Sequence, residues 1–284
     1  NEVAGFEDGS TTVYNVDQTG AVSYSLSIAG VVDAMGPVGW WRLEDGSGGT
    51  AKDSSGNGNS GSITGASWTT GMTGKALYFD GNDYVNIDAM AGNLSNGDDF
   101  AMTAWFKTGY KPGGINGHVL FSAHSGSGGD VFRVGTGKNG GIFLSHNTDR
   151  ERGLGYADNR WHYLAVSVAG DSVIEVPSGT PKVWVDGNPI TGFATSAVSW
   201  DEARKFSLGQ EWDSTSLTDF WRGSIDDVRV YSHTLSEDQV LNQYQDSAEG
   251  VVLEPLEGTR MLKFAGQVSG LTAWSRQYCR LTVR

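Results

Sequence analysis

Cysteine is almost absent from this chain, which has a single one, Cys279, among its 284 residues. One cysteine forms no disulfide within the chain and supplies no thiolate cluster for a metal. Long apolar runs are missing too, since none approaches the ~20 residues that cross a membrane as a helix. We therefore expect the fold to depend on its hydrophobic core, and we expect no membrane insertion.

Positive charge is scarce: 20 Lys and Arg face 33 Asp and Glu, which gives a formal net charge of -13. Nucleic-acid-binding proteins carry a basic stripe, so this balance argues against nucleic acid as a partner. Charged residues make up 19 % of the chain and aromatic residues 11 %, which is typical of a folded chain and not of a disordered one. An acidic surface suits an extracellular protein or one that binds divalent cations.

Glycine and aromatic residues are abundant, with 41 Gly, 10 Trp, 10 Tyr and 11 Phe. Apolar and polar residues alternate over 100–106 and 161–168, and this period of two predicts half-buried β-strands. Asp-Gly pairs at 80–81 and 186–187 lie between apolar runs and predict tight hairpin turns. One helix is predicted, over 236–245, where a capping box precedes an apolar stripe. Many short strands joined by turns predict an all-β fold, a two-sheet antiparallel β-sandwich.

Three segments differ in their residue pattern, and this difference predicts that the chain has three parts. Residues 1–30 contain an alternating strand at 21–28 and form an N-terminal β extension. Residues 31–247 form the sandwich with its short C-terminal helix. Residues 248–284 form a linker and a C-terminal β extension, and we expect the two extensions to pair beside the sandwich.

The landmarks of the sandwich resemble the bacterial laminin-G-like family of concanavalin A-like (pentraxin-like) jelly rolls. The resemblance runs over roughly residues 38–246. It rests on seven pieces in the family's order, at residues 39–44, 53–59, 76–85, 100–105, 161–162, 183–187 and 225–231. It implies a jelly roll that binds saccharides or proteins, because the family includes glycan-binding modules attached to hydrolases, adhesin modules and spacers. A fold by itself does not fix the function.

The loop from Asp53 to Asn59 is glycine-rich and dense in oxygen-bearing side chains. Calcium takes six to eight oxygen ligands from carboxylates, amides and backbone carbonyls, and we expect Asp53, Asn57 and Asn59 to supply some of them. The resemblance implies that Asp226, on a later strand, contributes to the same structural calcium site. The alternative is an ordinary Asn-Gly turn that holds no ion.

Sugar-binding sites combine an aromatic face with a few polar side chains. Trp212 lies in a polar stretch where no core pattern requires it, and we expect it to be exposed beside Asp213. Tyr110, Arg150 and Tyr156 lie in two further loops and complete the candidate ligand-binding set. The alternatives are that the aromatic side chains close over the core and that Arg150 is a solvated surface charge.

Four other tryptophans lie within predicted strands, and strand position favours burial in the core over exposure to a ligand. They are Trp40, Trp105, Trp161 and Trp184.

Catalytic signatures are missing from the sequence. A retaining glycosidase needs two carboxyl groups ~5 Å apart, which on a strand of this fold calls for a Glu-x-Asp-x-Glu pattern. Glu211 and Asp213 have the spacing of the first two members, but no third follows, and no Gly-x-Ser-x-Gly elbow is present. We therefore expect a non-catalytic, lectin-like module that binds a poly- or oligosaccharide and belongs to a secreted or cell-surface protein. The alternatives are a protein-interaction or adhesion module and an unrecognised polysaccharide-active enzyme.

Overall fold

The computed structural model describes most of the middle of the chain and three strands near its C-terminus. The described residues are 36–95, 99–113, 117–126, 129–145, 150–169, 181–193, 200–249, 252–255, 261–265 and 280–282. The predicted N-terminal extension, residues 1–30, lies outside the described residues, so its predicted pairing stays a prediction.

Short strands dominate the described residues. In chain order they are β1 (Gly39–Trp41), β2 (Thr50–Ala51), β3 (Gly61–Thr64), β4 (Ser67–Thr70), β5 (Lys75–Asp80), β6 (Tyr84–Asn86), β7 (Phe100–Lys107), β8 (His118–His124), β9 (Asp130–Thr136), β10 (Ile142–Ser145), β11 (Arg150–Arg152), β12 (Trp161–Val168), β13 (Lys182–Val185), β14 (Asn188–Ile190), β15 (Lys205–Leu208), β16 (Glu211–Asp213), β17 (Ser216–Thr218), β18 (Arg222–Tyr231), β19 (Val252–Pro255), β20 (Met261–Ala265) and β21 (Arg280–Thr282). Two 3-10 turns, Asp88–Met90 and Trp200–Glu202, and the helix α1, Glu237–Glu249, accompany them.

Two large antiparallel sheets form the body of the molecule, which confirms the predicted β-sandwich. The first sheet has the order β14-β13-β12-β7-β18-β5-β4, with β1 also paired to β18. The second sheet has the order β11-β10-β9-β8-β15-β6-β3-β2. Strands β16 and β17 form a separate hairpin, and β19, β20 and β21 form a small sheet of their own.

The main core lies between the two large sheets and follows the period of two. On β7, Phe100, Met102 and Phe106 are fully buried in this core, whereas Ala101 and Trp105 belong to a second apolar cluster. Neighbouring residues of a strand face opposite sides, so this second cluster lies on the outer face of the first sheet. The first sheet therefore has apolar residues on both faces, and its outer face needs a cover.

Helix α1 supplies that cover. The capping box is formed as predicted, because Gln239 Oε1 accepts the Ser236 amide at 2.8 Å and Ser236 Oγ accepts the Gln239 amide at 3.2 Å. Val240 is fully buried in the outer cluster, and the ring of Tyr244 lies 5.7 Å from that of Trp105. The helix continues to Glu249, four residues beyond its predicted end. Within the part of the chain that the structure describes, no helix has the length and apolar character needed to cross a membrane.

The Asp-Gly turn between β13 and β14 also forms as predicted, whereas the hairpin predicted at 80–81 is wrong, because β5 and β6 on either side of that turn lie in different sheets. Asp186 and Gly187 have φ values of 52° and 73°, and two consecutive positive φ angles are what a type I′ hairpin turn requires. The Asp186 carboxylate reaches back to β12, where Oδ2 lies 2.8 Å from His162 Nδ1 and Oδ1 accepts the Tyr163 amide. The turn is thereby fixed to β12, the strand that starts with Trp161 and His162.

Candidate functional site

A pocket of about 290 Å³ opens between the outer face of the first sheet and the C-terminal half of α1. Its walls come from β1 and the residues that follow it, from β7 and β18, from the turn between β4 and β5, and from α1. Two indoles, two guanidinium groups and four carboxyl groups line it, together with three neutral polar side chains. A concave site with converging polar groups is the default candidate for ligand binding in a protein.

A β-bulge on β18 creates the acidic wall of this pocket. The pairing of β18 with β7 shifts register between Asp226 and Arg229, and Asp227 has a φ of 43°. A bulge inserts one residue, so both residues beside it can face the same side of the sheet. Ile225 and Val228 remain fully buried in the main core, while Asp226, Asp227 and Arg229 all line the pocket.

Trp40 is the central aromatic residue of the pocket. Its Nε1 donates a hydrogen bond of 2.6 Å to Asp227 Oδ1, and the same carboxylate pairs with Arg229 at 2.7 Å. Both guanidinium groups lie over the indole, with Arg229 4.8 Å and Arg42 5.3 Å from the ring centroid. Indole rings attract cations through their negative faces, so Trp40 and Asp227 together hold Arg229 in place.

The floor of the pocket is fastened to α1 by a network of hydrogen bonds. Gln243 Oε1 accepts the hydroxyl of Tyr163 at 3.0 Å, that of Tyr231 at 3.3 Å and Nη1 of Arg229 at 3.4 Å. Trp105 Nε1 donates to Ser247 Oγ at 3.0 Å. Because these partners come from three strands and the helix, the polar groups are held in fixed positions before any ligand arrives.

Two carboxyl groups hold the turn at the rim of the pocket. Asp226 Oδ2 accepts the amides of Met72 and Thr73 at 2.9 and 3.4 Å, and Glu44 Oε2 accepts the amide of Lys75 at 3.0 Å. Burial raises the pKa of Asp226 to about 7, and the nearby charge of Asp227 acts in the same direction, whereas the two amides partly offset them. The interior of the pocket is therefore acidic and poorly solvated.

The predicted calcium loop closes through its own hydrogen bonds. The two oxygens of Asp53 accept four donors: the amides of Trp40, Ser55 and Asn59 and the hydroxyl of Ser55, at 2.8–3.0 Å. Burial alone would raise the pKa of Asp53, but these hydrogen bonds outweigh it and lower the pKa. An ionised carboxylate has about four lone-pair sites, so this conformation leaves Asp53 none for a cation.

The structure places the four predicted calcium ligands in two separate groups. Asn57 and Asn59 share the loop with Asp53, and their Nδ2 atoms donate to the carbonyl of Val38 at 3.1 and 2.7 Å. Asp226 instead belongs to the pocket. Strand β1 lies between Asp53 and β18, and two strand spacings amount to about 9.6 Å. The predicted set therefore does not fit a single ion, and no group of three or more acidic, His or Cys side chains among the described residues could hold one.

The prediction that Trp212 is exposed is wrong. Its side chain is 4 % exposed, with Lys205 Nζ 5.2 Å from the ring centroid and the His124 ring 6.1 Å away. The reason is that the β16–β17 hairpin folds back over the outer face of the second sheet. The indole of Trp212 therefore packs against the C-terminal end of β8 and the N-terminal end of β15. Asp213, the next residue, is exposed.

The other predicted ligand-binding residues are dispersed. Tyr110 is 39 % exposed, and its ring lies 5.0 Å from that of His118, at the opposite end of β8 from the Trp212 neighbour His124. Six residues of strand span about 20 Å, so Tyr110 and Trp212 do not line one site. Tyr156 is half-buried against His162, with ring centroids 5.4 Å apart.

Arg150 lies in β11 at the edge of the second sheet, and its side chain is outside what the structure describes.

Glu211 and Asp213 do not form a catalytic pair across a groove. Glu211 is 1 % exposed and lies 3.3 Å from Arg133, whereas Asp213 faces solvent. Burial raises the pKa of Glu211 to about 8, with the nearby Asp130 adding to the effect and Arg133 offsetting part of it. We see a buried structural carboxyl here and no accessible acid beside an accessible base.

Sequence reasoning misses most of this pocket because position within a strand predicts burial in the core. Trp105 and Trp184 are buried, but in the outer cluster under α1. Trp40 is half-buried and lines the pocket, so its assignment to the core is wrong. The signal was present: Trp40 and Trp41 are adjacent in one strand, so they must face opposite sides.

Two antiparallel sheets packed around one core define a β-sandwich, with a small polar pocket on the outer face of its first sheet. A family model described as the concanavalin A-like lectin/glucanases superfamily matches residues 79–241, more than half of the chain. The chain belongs to this superfamily, as the sequence resemblance implied. No curated protein matches the sequence significantly.

Several solved structures share the fold. Domain 4 of AbnA, a GH43 extracellular arabinanase from Geobacillus stearothermophilus solved with arabinotriose, has a TM-score of 0.52 and 19% identity, covering 74% of this chain and 99% of that domain. Trypanosoma rangeli sialidase has a TM-score of 0.57 and 16% identity, covering 75% of this chain and 33% of the sialidase. The binding domain of Paraclostridial Mosquitocidal Protein 1 has a TM-score of 0.55 and 14% identity, covering 77% of this chain and 54% of that one. At these identities the likeness shows the fold.

Proposed function

We propose that this chain is a non-catalytic module that binds a poly- or oligosaccharide, and that the pocket beside α1 holds the sugar. The observation that carries the proposal is the lining of the pocket: indole, guanidinium, carboxyl and amide groups converge on one concave site. Sugar hydroxyls need both donors and acceptors, and the apolar face of a pyranose needs an aromatic or aliphatic surface. Fixed side chains such as Gln243 and Arg229 reduce the entropy lost on binding.

The relatives in fold support the same class of function. Their names describe an arabinanase domain in complex with arabinotriose and a sialidase in complex with sialic acid. The arabinanase is described as extracellular, and we propose a secreted or cell-surface location for this chain as well, in keeping with its acidic composition. A protein-interaction or adhesion role is the competing proposal.

The volume of the pocket limits the number of sugar residues that it can hold. Its volume of about 290 Å³ lies just below the ~300–1,000 Å³ that ligand pockets span. We therefore propose that the pocket holds one or two sugar residues, as a chain end, and not a long stretch of polysaccharide.

Trp40→Ala tests the proposal directly. We expect the wild-type protein to bind members of a glycan array, and Trp40→Ala to weaken the best ligand by at least about tenfold, the effect of ~1.4 kcal/mol, in calorimetric titration. The exposed Tyr110 gives the matched control, because Tyr110→Ala removes an aromatic ring outside the pocket and should leave the affinity unchanged. The reverse result would move the site to the Tyr110 end of the sandwich, and reducing-end release from a bound polysaccharide would show an enzyme.

A structural calcium is the second part of the proposal, with the loop residues Asn57 and Asn59 as ligands. The oxygen-rich loop supports it, and so do Gly56 and Gly58, whose φ values of 88° and 82° fold the loop back on itself. Because Asp53 is saturated with hydrogen bonds and Asp226 lies elsewhere, we expect weak binding, in the ~0.1–1 mM range found for extracellular modules.

Calcium should therefore raise the thermal midpoint only modestly. At ten times the Kd the gain is about 1.4 kcal/mol, or roughly 3–6 °C for a domain of this size, as measured by differential scanning calorimetry. A chelator should reverse it, Asn57→Ala should abolish it, and magnesium should not reproduce it. An unchanged midpoint at high calcium would rule the ion out.

A further inference from the structure

The charges that line the pocket are unequal. Four carboxyl groups, those of Glu44, Asp226, Asp227 and Asp246, face two guanidinium groups. Asp227 and Arg229 form an ion pair at 2.7 Å and cancel each other. The lining therefore carries a formal charge of about -2 when Asp226 is ionised and about -1 when it is protonated, its pKa being raised to about 7, so the pocket as a whole attracts positive charge in either state. The net charge of the chain, -13, adds a field of the same sign, which repels acidic polymers and attracts basic ones.

The face of the Trp40 indole is the position in the pocket where cations lie. Two guanidinium groups already lie over the face of Trp40, Arg229 at 4.8 Å and Arg42 at 5.3 Å from its centroid. Arg229 is fixed by Asp227 and Gln243, whereas Arg42 is exposed to solvent. An exposed arginine side chain is easily displaced because it gains little from one ordered position. A ligand cation can therefore take the position of Arg42 over the indole, beside Glu44 and Asp226.

We propose that the pocket binds a sugar residue that carries a free amino group, such as glucosamine at the end of an oligosaccharide, and excludes uronic and sialic acids. This inference rests on the proposed function and names its ligand class. The ammonium group would lie between the Trp40 face and the carboxyl groups of Glu44 and Asp226, where cation–π attraction and charge pairing act together. A carboxylated sugar would meet like charge at the same position, which costs affinity.

The test compares three probes of matched length: an oligomer of glucosamine, the same oligomer N-acetylated, and an oligogalacturonate. Calorimetric titration is carried out at neutral pH, where the sugar amine and Asp226, whose pKa is about 7, are both partly charged, at low and at physiological salt. We expect the glucosamine oligomer to bind at least about tenfold more tightly than its acetylated form, and the oligogalacturonate not to bind. Salt should reduce the preference for the amine, since charge pairing at the pocket mouth is screened.

Two isosteric substitutions show whether the pocket carboxyl groups cause the preference. Glu44→Gln and Asp226→Asn keep the oxygens that accept the amides of Lys75 and Met72, so the turn at the rim stays in place. The double variant should bind the amine and acetylated oligomers about equally. Asp213→Asn removes an exposed carboxylate outside the pocket and is the control for the loss of a surface carboxylate, with the preference expected to persist.

The outcomes separate the two proposals. Equal or tighter binding of the acidic oligomer, or an amine preference that survives in the double variant, overturns the amino-sugar inference while saccharide binding stands. Absence of binding to every saccharide probe and to the glycan array overturns the proposed function and this inference with it.

Discussion

Trp41→Ala should lower the free energy of unfolding by about 3–5 kcal/mol, the range for removing a large aromatic side chain from a core. Trp41 is fully buried between the two sheets, and its Nε1 donates a hydrogen bond of 2.8 Å to the carbonyl of Asn59. The substitution leaves a cavity and also strips a buried carbonyl of its donor, which adds to the cost. Urea unfolding followed by far-ultraviolet circular dichroism measures the change.

The adjacent indole provides the control for this experiment. Trp40 is half-buried on the outer face, and we expect Trp40→Ala to cost about 1 kcal/mol, mainly through the lost hydrogen bond to Asp227. Its main effect should be on saccharide binding. If the two substitutions destabilised the protein equally, β1 would not divide its two tryptophans between core and pocket.

Arg133→Met should also destabilise the protein, by about 1–3 kcal/mol, the cost of leaving the partly buried carboxylates of Asp130 and Asp219 without their cation. Arg133 is 8 % exposed and has three carboxyl groups around it: Asp130 at 3.0 Å, Glu211 at 3.3 Å and Asp219 at 3.6 Å. Methionine has a similar length and an apolar stem, so the packing changes little. The loss then reports on charge, and denaturant unfolding at neutral pH measures it.

Arg133 lies in a row of polar side chains on the outer face of the second sheet, and among the described residues of that row it has no neighbouring cation. Strand register places one outer-face residue from each of six strands in a row across the second sheet, in the order Ser62, Asn86, Ser207, Ser122, Arg133 and Ser145. The β16–β17 hairpin covers the middle of this row, with the hydroxyls of Ser122 and Ser207 both donating to the carbonyl of Gln210 at 2.7 Å. Arg133 is the cation of the row, and the hairpin brings Glu211 to it.

Glu211→Gln separates charge from packing at this position. Because the pKa of Glu211 is raised to about 8, chiefly by burial, its carboxyl group holds a proton at neutral pH and an amide replaces it without a change of charge. We expect a change below about 1 kcal/mol at neutral pH. A loss as large as that of Arg133→Met would mean that Glu211 is ionised and is the partner that Arg133 requires.

The sequence by itself determined the fold class and its local signals. Alternation over 100–106 and 161–168 identified β7 and β12, because only one face of each strand reaches the main core. The Asp-Gly turn at 186–187 formed as predicted, since glycine accepts the positive φ that the hairpin needs. The capping box at Ser236 predicted the start of α1 to within one residue. All of these are properties of neighbouring residues, which is why a single sequence reveals them.

The pocket and the burial of Trp212 were decided by tertiary structure. Alternation with a period of two indicates which residues share a face of a strand, but it does not indicate what covers that face. The pocket is formed by β1, the β18 bulge and α1 together. Pairing of β1 with β18 brings Trp40 to Asp227, and docking of α1 on the first sheet adds Gln243. Trp212 was buried because its hairpin folded back onto the second sheet. Local pattern fixes the two faces of a strand, and long-range packing decides which of them meets solvent, a helix or a ligand.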